Sequence, residues 1–334
     1  MPLIPSLSPD KKPPVGPIIA AVVLVGAIAG SVLWYRHAKA ETPPPVAVAV
    51  PVDAGPPAPL APPSAEEQLA KSGLKHLSIR VNGPLETAVI GAVGKEVGAP
   101  LTQVLTRSLV WWVRVPADLV RGDALDALYE ERQNEEPLVH AVRFVSGKHG
   151  KTFAAYRFKA EGDTFARFYV PSGDELELRL EDAPVDTYEQ VTSRLNDGRR
   201  HKGIDFKTAV GTPVKATFDG TVLRKNWSFR GNGNCLELGE SGGQRRKVML
   251  LHLSEVGKDV QPGRRVKKGE VVAASGNTGH SFAPHLHYQL MSAGDQVIDP
   301  FESQRTFHQA IAPAQKAALD AETRRLDALM APFP

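Results

Sequence analysis

From Val15 to Tyr35 the chain carries no charged side chain. At roughly 21 residues this run reaches about 31 Å as a helix, close to the ~30 Å hydrocarbon thickness of a bilayer. Trp34 and Tyr35 close it, and Arg36 follows, as at a membrane interface. The pattern predicts a transmembrane anchor over 15–35 behind a short polar tail, 1–14. A cleaved leader ending at Ala38-Lys39-Ala40 is the rival, but its apolar core would typically span only about 7–15 residues. Residues 36–64 are dominated by Pro and Ala and predict an extended, semi-rigid linker.

Ordered patterning begins at Ser64. Ser64-x-x-Glu67 fits a capping box and Gly73 a helix stop. Leu85–Val97 and Leu101–Leu109 carry apolar residues at mostly helical spacing, broken by Pro100. Val110–Val115, Leu138–Val145, Thr152–Phe158 and Thr164–Val170 read as strands, and Asp174–Leu180 alternates with Leu176, Leu178 and Leu180 on one face. Together these predict a small α+β domain over 65–185. His76, His140 and His149 stand apart in it and read as surface or structural residues.

Residues 186–302 change character. Short apolar runs alternate with tight turns, and Asp219-Gly220 between Val214–Ala216 and Thr221–Leu223 is a hairpin signal. The segment predicts an all-β domain built on antiparallel sheet. Residues 303–334 place Ala, Leu, Glu and Arg at helical spacing and predict a closing amphipathic helix and tail.

Composition narrows the function classes. Charged residues make up 23% of the chain and its net charge is +3, ordinary for a globular protein. Lys and Arg are scattered, so the mild basicity fits an anionic polymer without pointing to nucleic acid. The single cysteine, Cys235, excludes an intramolecular disulfide and a cysteine-rich metal site, and reads as a core residue. Any metal must therefore use His and carboxylate.

The candidate chemistry sits in Pro284-His285-Leu286-His287-Tyr288-Gln289. In a strand, His285 and His287 share one face and Leu286 takes the other. An open zinc site needs three protein ligands and a free position. His201 and Asp205, at i and i+4 around Gly203, offer a nitrogen and an oxygen on one face. One histidine of the His285/His287 pair would complete a His₂Asp set. His252, in the apolar run Val248–Leu253, is the available base. His280 falls in a turn and reads as surface.

Taken in order, His201-x-Gly203-x-Asp205, Gly211-Thr212-Pro213-Val214, Asp219-Gly220-x-Val222, His252-Leu253, Gly276-Asn277-Thr278-Gly279 and His285-Leu286-His287 resemble the LytM/lysostaphin-type zinc metallopeptidases, which cut peptide bonds in peptidoglycan. More loosely, Val110-Trp111-Trp112 through Asp123, Leu128-Tyr129-Glu130 and Tyr169–Gly173 resemble the accessory domain of MepM-type membrane-anchored murein DD-endopeptidases of Gram-negative bacteria. The resemblance implies one Zn²⁺ on His201, Asp205 and His287, with His252 and His285 as the catalytic pair. It implies peptidoglycan peptide stems as substrate, a D-Ala–diaminopimelate cross-link as the bond, and a single-pass inner-membrane protein with its catalytic domain in the periplasm. A non-catalytic peptidoglycan-binding or amidase-activating module of the same fold is the alternative. The chain departs from the family pattern at Phe282-Ala283, at Gln289, at Leu251 and in the short stretch Arg194–Arg200, none of them a presumed active-site position.

Overall fold

The computed structural model describes residues 64–197 and 200–330, which contain two large antiparallel sheets. The expected tail 1–14, the span 15–35 and the linker up to residue 63 lie outside the described residues. Among the described residues, no helix is long and apolar enough to cross a membrane.

The first sheet has seven strands in the order Lys75–Val81, Asp123–Glu130, Leu138–Ser146, Lys151–Phe158, Arg167–Tyr169, Asp174–Leu180 and Thr306–Ala310. Helices Leu85–Val93 and Lys95–Leu109 cover one face. Their Val89, Leu101, Leu105 and Leu109 pack with Leu77, Leu125, Val142 and Phe144. The other face receives the C-terminal helix Lys316–Leu329, whose Leu326 and Leu329 meet Leu128, Ala141 and Tyr156. The capping box holds, with Ser64 Oγ accepting from the Glu67 N–H at 3.2 Å and Glu67 accepting from the Ser64 N–H at 3.1 Å.

The second sheet has eight strands, and a three-stranded sheet (Glu255–Val256, Val271–Ala274, Pro213–Lys215) packs against it. Ile204, Phe206, Leu236, Leu250, Leu286 and Tyr288 from the large sheet bury against Val214, Val272 and Ala273 from the small one. Cys235 is buried, as its apolar setting predicts. The outcome is an antiparallel β-rich domain followed by a C-terminal helix.

Several local expectations are corrected. Val110–Val115 is not a strand but the turn after Lys95–Leu109. Its tryptophans are spent on packing, Trp111 edge-on to Phe301 at 5.1 Å and Trp112 stacked on Phe153 at 5.4 Å. The two helices divide at Gly94, not at Pro100. Pro100 lies inside the second helix, whose geometry tolerates its fixed φ at the cost of one hydrogen bond. Gly98 lets the helices cross closely, since a Cβ there would meet the Ile90 Cα at 2.7 Å. Asp219-Gly220 does not close a hairpin. Pro213–Lys215 pairs with Val271–Ala274, while Gly220–Lys225 pairs with Asn234–Glu240 in the other sheet. The strand expected at 164–170 is confined to Arg167–Tyr169. Residues 303–330 are not one helix, because Thr306–Ala310 pairs with Asp174–Leu180 before the helix begins.

Two further strands of the first sheet escaped the pattern. Asp123–Glu130, with the sequence DALDALYE, is buried on both faces. Its carboxylates are satisfied by neighbours: Asp126 by His76 Nε2 and Arg143 Nη2, both at 3.0 Å, and Asp123 by the N–H groups of Val120 and Gly147 at 2.9 and 2.7 Å. His76 is thereby structural. Lys75–Val81 was also missed, although it is seven residues long and Asn82-Gly83-Pro84 follows it; the polar Lys75, His76, Ser78 and Arg80 interrupt its apolar positions.

The two sheets meet along Asp174–Leu180. Leu176 belongs to the first core, and Leu178 and Leu180 pack into the second. Between them Glu177 accepts the Val191 N–H at 3.1 Å. Burial pushes the Glu177 carboxyl up to about 7, although the Val191 N–H favours the anion. A raised acid pKa means that the folded state holds its proton longer than the unfolded chain does. Stability contributed by the neutral form is therefore lost as pH rises from about 4.5 to 7. Glu177→Gln keeps the acceptor without the charge. It should raise stability by about 1–2 kcal/mol near pH 8 and leave it unchanged near pH 4.5, read from denaturant midpoints at the two pH values.

Candidate active site

The site is built where two short strands pair. Ile204–Lys207 lies antiparallel to His285–Met291 with Asp205 directly opposite His287 and Phe206 opposite Leu286. Directly paired residues share a face, so Asp205 and His287 emerge together while Phe206 and Leu286 go to the core. His201 reaches the same face from the approach to the first strand.

Three ligand-type atoms converge there. His201 Nε2 lies 3.1 Å from Asp205 Oδ1 and 3.0 Å from His287 Nδ1, and His287 Nδ1 lies 2.8 Å from Asp205 Oδ1. The opposite nitrogen of His201 approaches the Arg194 carbonyl at 3.1 Å and Ser193 Oγ at 2.8 Å. A carbonyl only accepts, so Nδ1 carries a proton; Nε2 faces Asp205 and His287, donating to the carboxylate when the ring is protonated and offering a lone pair once that proton is lost. Burial opposes the charge on Asp205, but the hydrogen bonds from His201 and His287 outweigh it and hold the carboxyl far below its usual range. Burial likewise opposes protonation of His201, and its hydrogen bond with Asp205 overcomes that and raises its pKa. Two imidazole nitrogens and one carboxylate oxygen in mutual contact form a donor set that fits a divalent cation with a fourth position open.

His252 and His285 stand beside this cluster, with ring centroids 4.7 Å apart. His252 is at the end of Lys247–Leu253, where Leu251 pairs with His287. Simple alternation would turn His252 to the core with Leu250. Instead His252 has φ 62°, and residues 251 and 252 together oppose Cys235, between the pairs Asn234–Leu253 and Leu236–Leu250. This bulge re-aims the imidazole onto the face of His285 and His287. A non-glycine residue in the left-handed region costs on the order of 1–2 kcal/mol. The conformation is held by the His252 Nδ1–H, which donates to the Thr278 carbonyl at 3.0 Å. The His285 Nδ1–H donates in the same way to the Ala283 carbonyl at 2.8 Å. Both residues thus present a bare Nε2. Burial, reinforced by the nearby His285 and His287, pushes His252 down to about 4 despite the Thr278 contact.

Peptidase family M23 matches residues 199–300. This part of the chain is an M23 peptidase domain. Among curated proteins, an uncharacterized metalloprotease of Haemophilus influenzae is 37% identical over 168 residues, covering 48% of this chain and 33% of the relative. The peptidoglycan DD-endopeptidase ShyA of Vibrio cholerae is 27% identical over 229 residues, 64% of this chain and 50% of the relative. The glycyl-glycine endopeptidase ALE-1 of Staphylococcus capitis is 44% identical over 96 residues, 29% and 26%. The chain thus spans about a quarter to a half of the length of these relatives.

All five residues singled out in the sequence, His201, Asp205, His252, His285 and His287, come together on one face of the M23 sheet. The groups that orient them were not legible there. The Arg194, Thr278 and Ala283 contributions are backbone carbonyls, which any residue supplies, and Ser193 carries no motif. His280 remains outside the cluster. Phe282, the departure before His-x-His, is 93% exposed and lines a groove that runs past the site.

Gly203 fixes how closely the first strand approaches His287. A Cβ at 203 would lie 2.6 Å from the Tyr288 carbonyl oxygen and 2.7 Å from His287 Nε2. Backbone cannot yield as a flexible side chain would. Gly203→Ala should therefore destabilise the domain by about 1–3 kcal/mol, seen as a lower denaturant midpoint.

Proposed function

We propose that the protein is a zinc-dependent endopeptidase that hydrolyses peptide cross-links of peptidoglycan. In this reading residues 15–35 tether it to the inner membrane and the catalytic domain works in the periplasm. The observation that carries the reading is the convergence of His201 Nε2, Asp205 Oδ1 and His287 Nδ1 beside two further histidines. The M23 match and the printed activities of ShyA and ALE-1 support the substrate class. The uncharged run at 15–35 and the Pro/Ala-rich spacer support the tether.

His201, Asp205 and His287 would hold the zinc. When bound, the ion supplies a Lewis acid that polarises a peptide carbonyl and makes a water molecule more acidic. The chain's own residues supply the proton traffic. His252 starts neutral at pH 7, because burial disfavours its charged form. With Nδ1–H committed to Thr278, its Nε2 can take the proton from the attacking water. His285, held by Ala283, presents a second bare Nε2 that would accept a hydrogen bond from that water and so orient it. The proton held on the pair then passes to the leaving amine nitrogen, as general acid–base catalysis requires.

Two experiments test this. Zinc content and loss of cross-linked muropeptide dimers are measured together on the purified chain. His201→Ala and Asp205→Ala should lose both, with cleavage down by at least about a thousandfold. His252→Asn tolerates the left-handed backbone, so it should keep zinc and fold while cleavage falls by about 10²–10⁴-fold. Retained cleavage in the first pair would overturn the ligand assignment. For the tether, the full chain should sediment with inner membranes and a chain starting at residue 64 should not.

A further inference from the structure

The groove beside the histidines does not end at the M23 domain. It has a volume of about 770 Å³ and runs from Asp205, Pro284 and His285 across to Arg107, Arg132 and Arg157 of the first sheet and its helices. Its walls are heavily charged, and most of those charges are already matched. Arg107 donates twice to Glu136, at 2.6 and 2.7 Å. Lys207 pairs with Glu189 at 2.9 Å, and Arg132 with Glu135 at 3.4 Å. Arg194 pairs with Asp299 at 3.3 Å.

Arg157 is different. Among the described residues its guanidinium makes no hydrogen bond and no ion pair. It is half-buried on Lys151–Phe158, on the same side as Phe153 and Ala155, which belong to the packing under the helices. A guanidinium at the end of an apolar row, short of its donors' partners, is a costly placement. Glu189 attracts it electrostatically, but Lys207 holds that carboxylate. Burial accordingly pulls the Arg157 pKa below its usual value. The position favours an anion that the chain itself does not supply, delivered along the groove.

We propose that Arg157 is a substrate-anchoring residue that binds a free carboxylate of the peptide being cut, at a point in the groove removed from the scissile bond. The proposal rests on the endopeptidase reading and deepens it: the substrate is an acidic peptide, and the first sheet takes part in recognising it. The planar fork of arginine suits a bidentate carboxylate. Because the contact forms in the ground state and persists in the transition state, it lowers KM and leaves kcat nearly unchanged.

The test uses the full, metal-loaded chain and two probes. One is a set of cross-linked muropeptide dimers with free carboxylates. The other is the same dimers amidated with carbodiimide and ammonia. On free dimers, Arg157→Gln should raise KM about tenfold or more with kcat within about twofold. On amidated dimers it should change neither, and Arg157→Lys should recover part of the loss. Its Tm should not fall, because no folded-state partner is lost. Binding is measured separately by calorimetry in a His252→Asn background, so the outcome does not depend on cleavage. Equal affinity of Arg157→Gln and Arg157 for free dimers, or equal losses on both probes, would overturn the anchor. Absence of cleavage by the wild-type chain with preserved Arg157-dependent binding would overturn the endopeptidase reading and leave the anchor standing.

Discussion

The site depends on one register. Ile204–Lys207 and His285–Met291 can pair so that Asp205 faces His287, or with a slip of one residue that would pair Asp205 with a core position. What selects the observed register is the back of the sheet. Phe206 and Leu286 are fully buried opposite one another, as are Ile204 and Tyr288. Burying such side chains favours this alignment by about 1.5–3 kcal/mol each, and a slip would reverse every one of them. The polar face inherits its geometry from the apolar one. Gly203 then admits His287 to within contact of the incoming chain, and His201 follows.

His252 obeys a different logic. Alternation along Lys247–Leu253 sends it to the core, and only a bulge with a left-handed residue at its centre returns it to the site. Strain of this kind persists where surrounding contacts over-determine it. Here the Thr278 carbonyl does so, and Thr278 is itself fixed by its hydroxyl, which donates to the Leu253 carbonyl at 2.7 Å and accepts from the Asn234 N–H at 2.9 Å. The Gly276–Gly279 turn thus serves the site without contributing a side chain to it.

The sequence disclosed the site better than the fold around it. His-x-His and His-x-Gly-x-Asp are local patterns, and strand alternation translates them directly into shared faces. The bulge at His252 was invisible because nothing in Met249-Leu250-Leu251-His252 distinguishes a continued ladder from an interrupted one. Asp123–Glu130 hid for the opposite reason, since its aspartates look solvent-seeking until His76 and Arg143 arrive from neighbouring strands. Gly220–Lys225 chose a partner in another sheet over the nearer one that its turn suggested. Thr306–Ala310 was absorbed into a helical reading because its partner lies far away in the chain. In each case the deciding interaction is long-range, and local pattern carries no trace of it.

That last strand has a consequence for how the molecule is made. His308 donates to the Glu175 carbonyl across a separation of 133 residues, a closure worth on the order of 4 kcal/mol of chain entropy. At roughly 5–20 residues per second of translation, the edge at Asp174–Leu180 waits on the order of ten seconds for its neighbour. During that time the M23 sheet emerges in full while the earlier sheet still offers unpaired amides to any passing strand. Glu175, Glu177 and Arg179 alternate with leucines along that edge. The charges that later settle into the junction between the sheets first serve as a guard on a nascent chain, discouraging edge-to-edge pairing until its own last strand arrives.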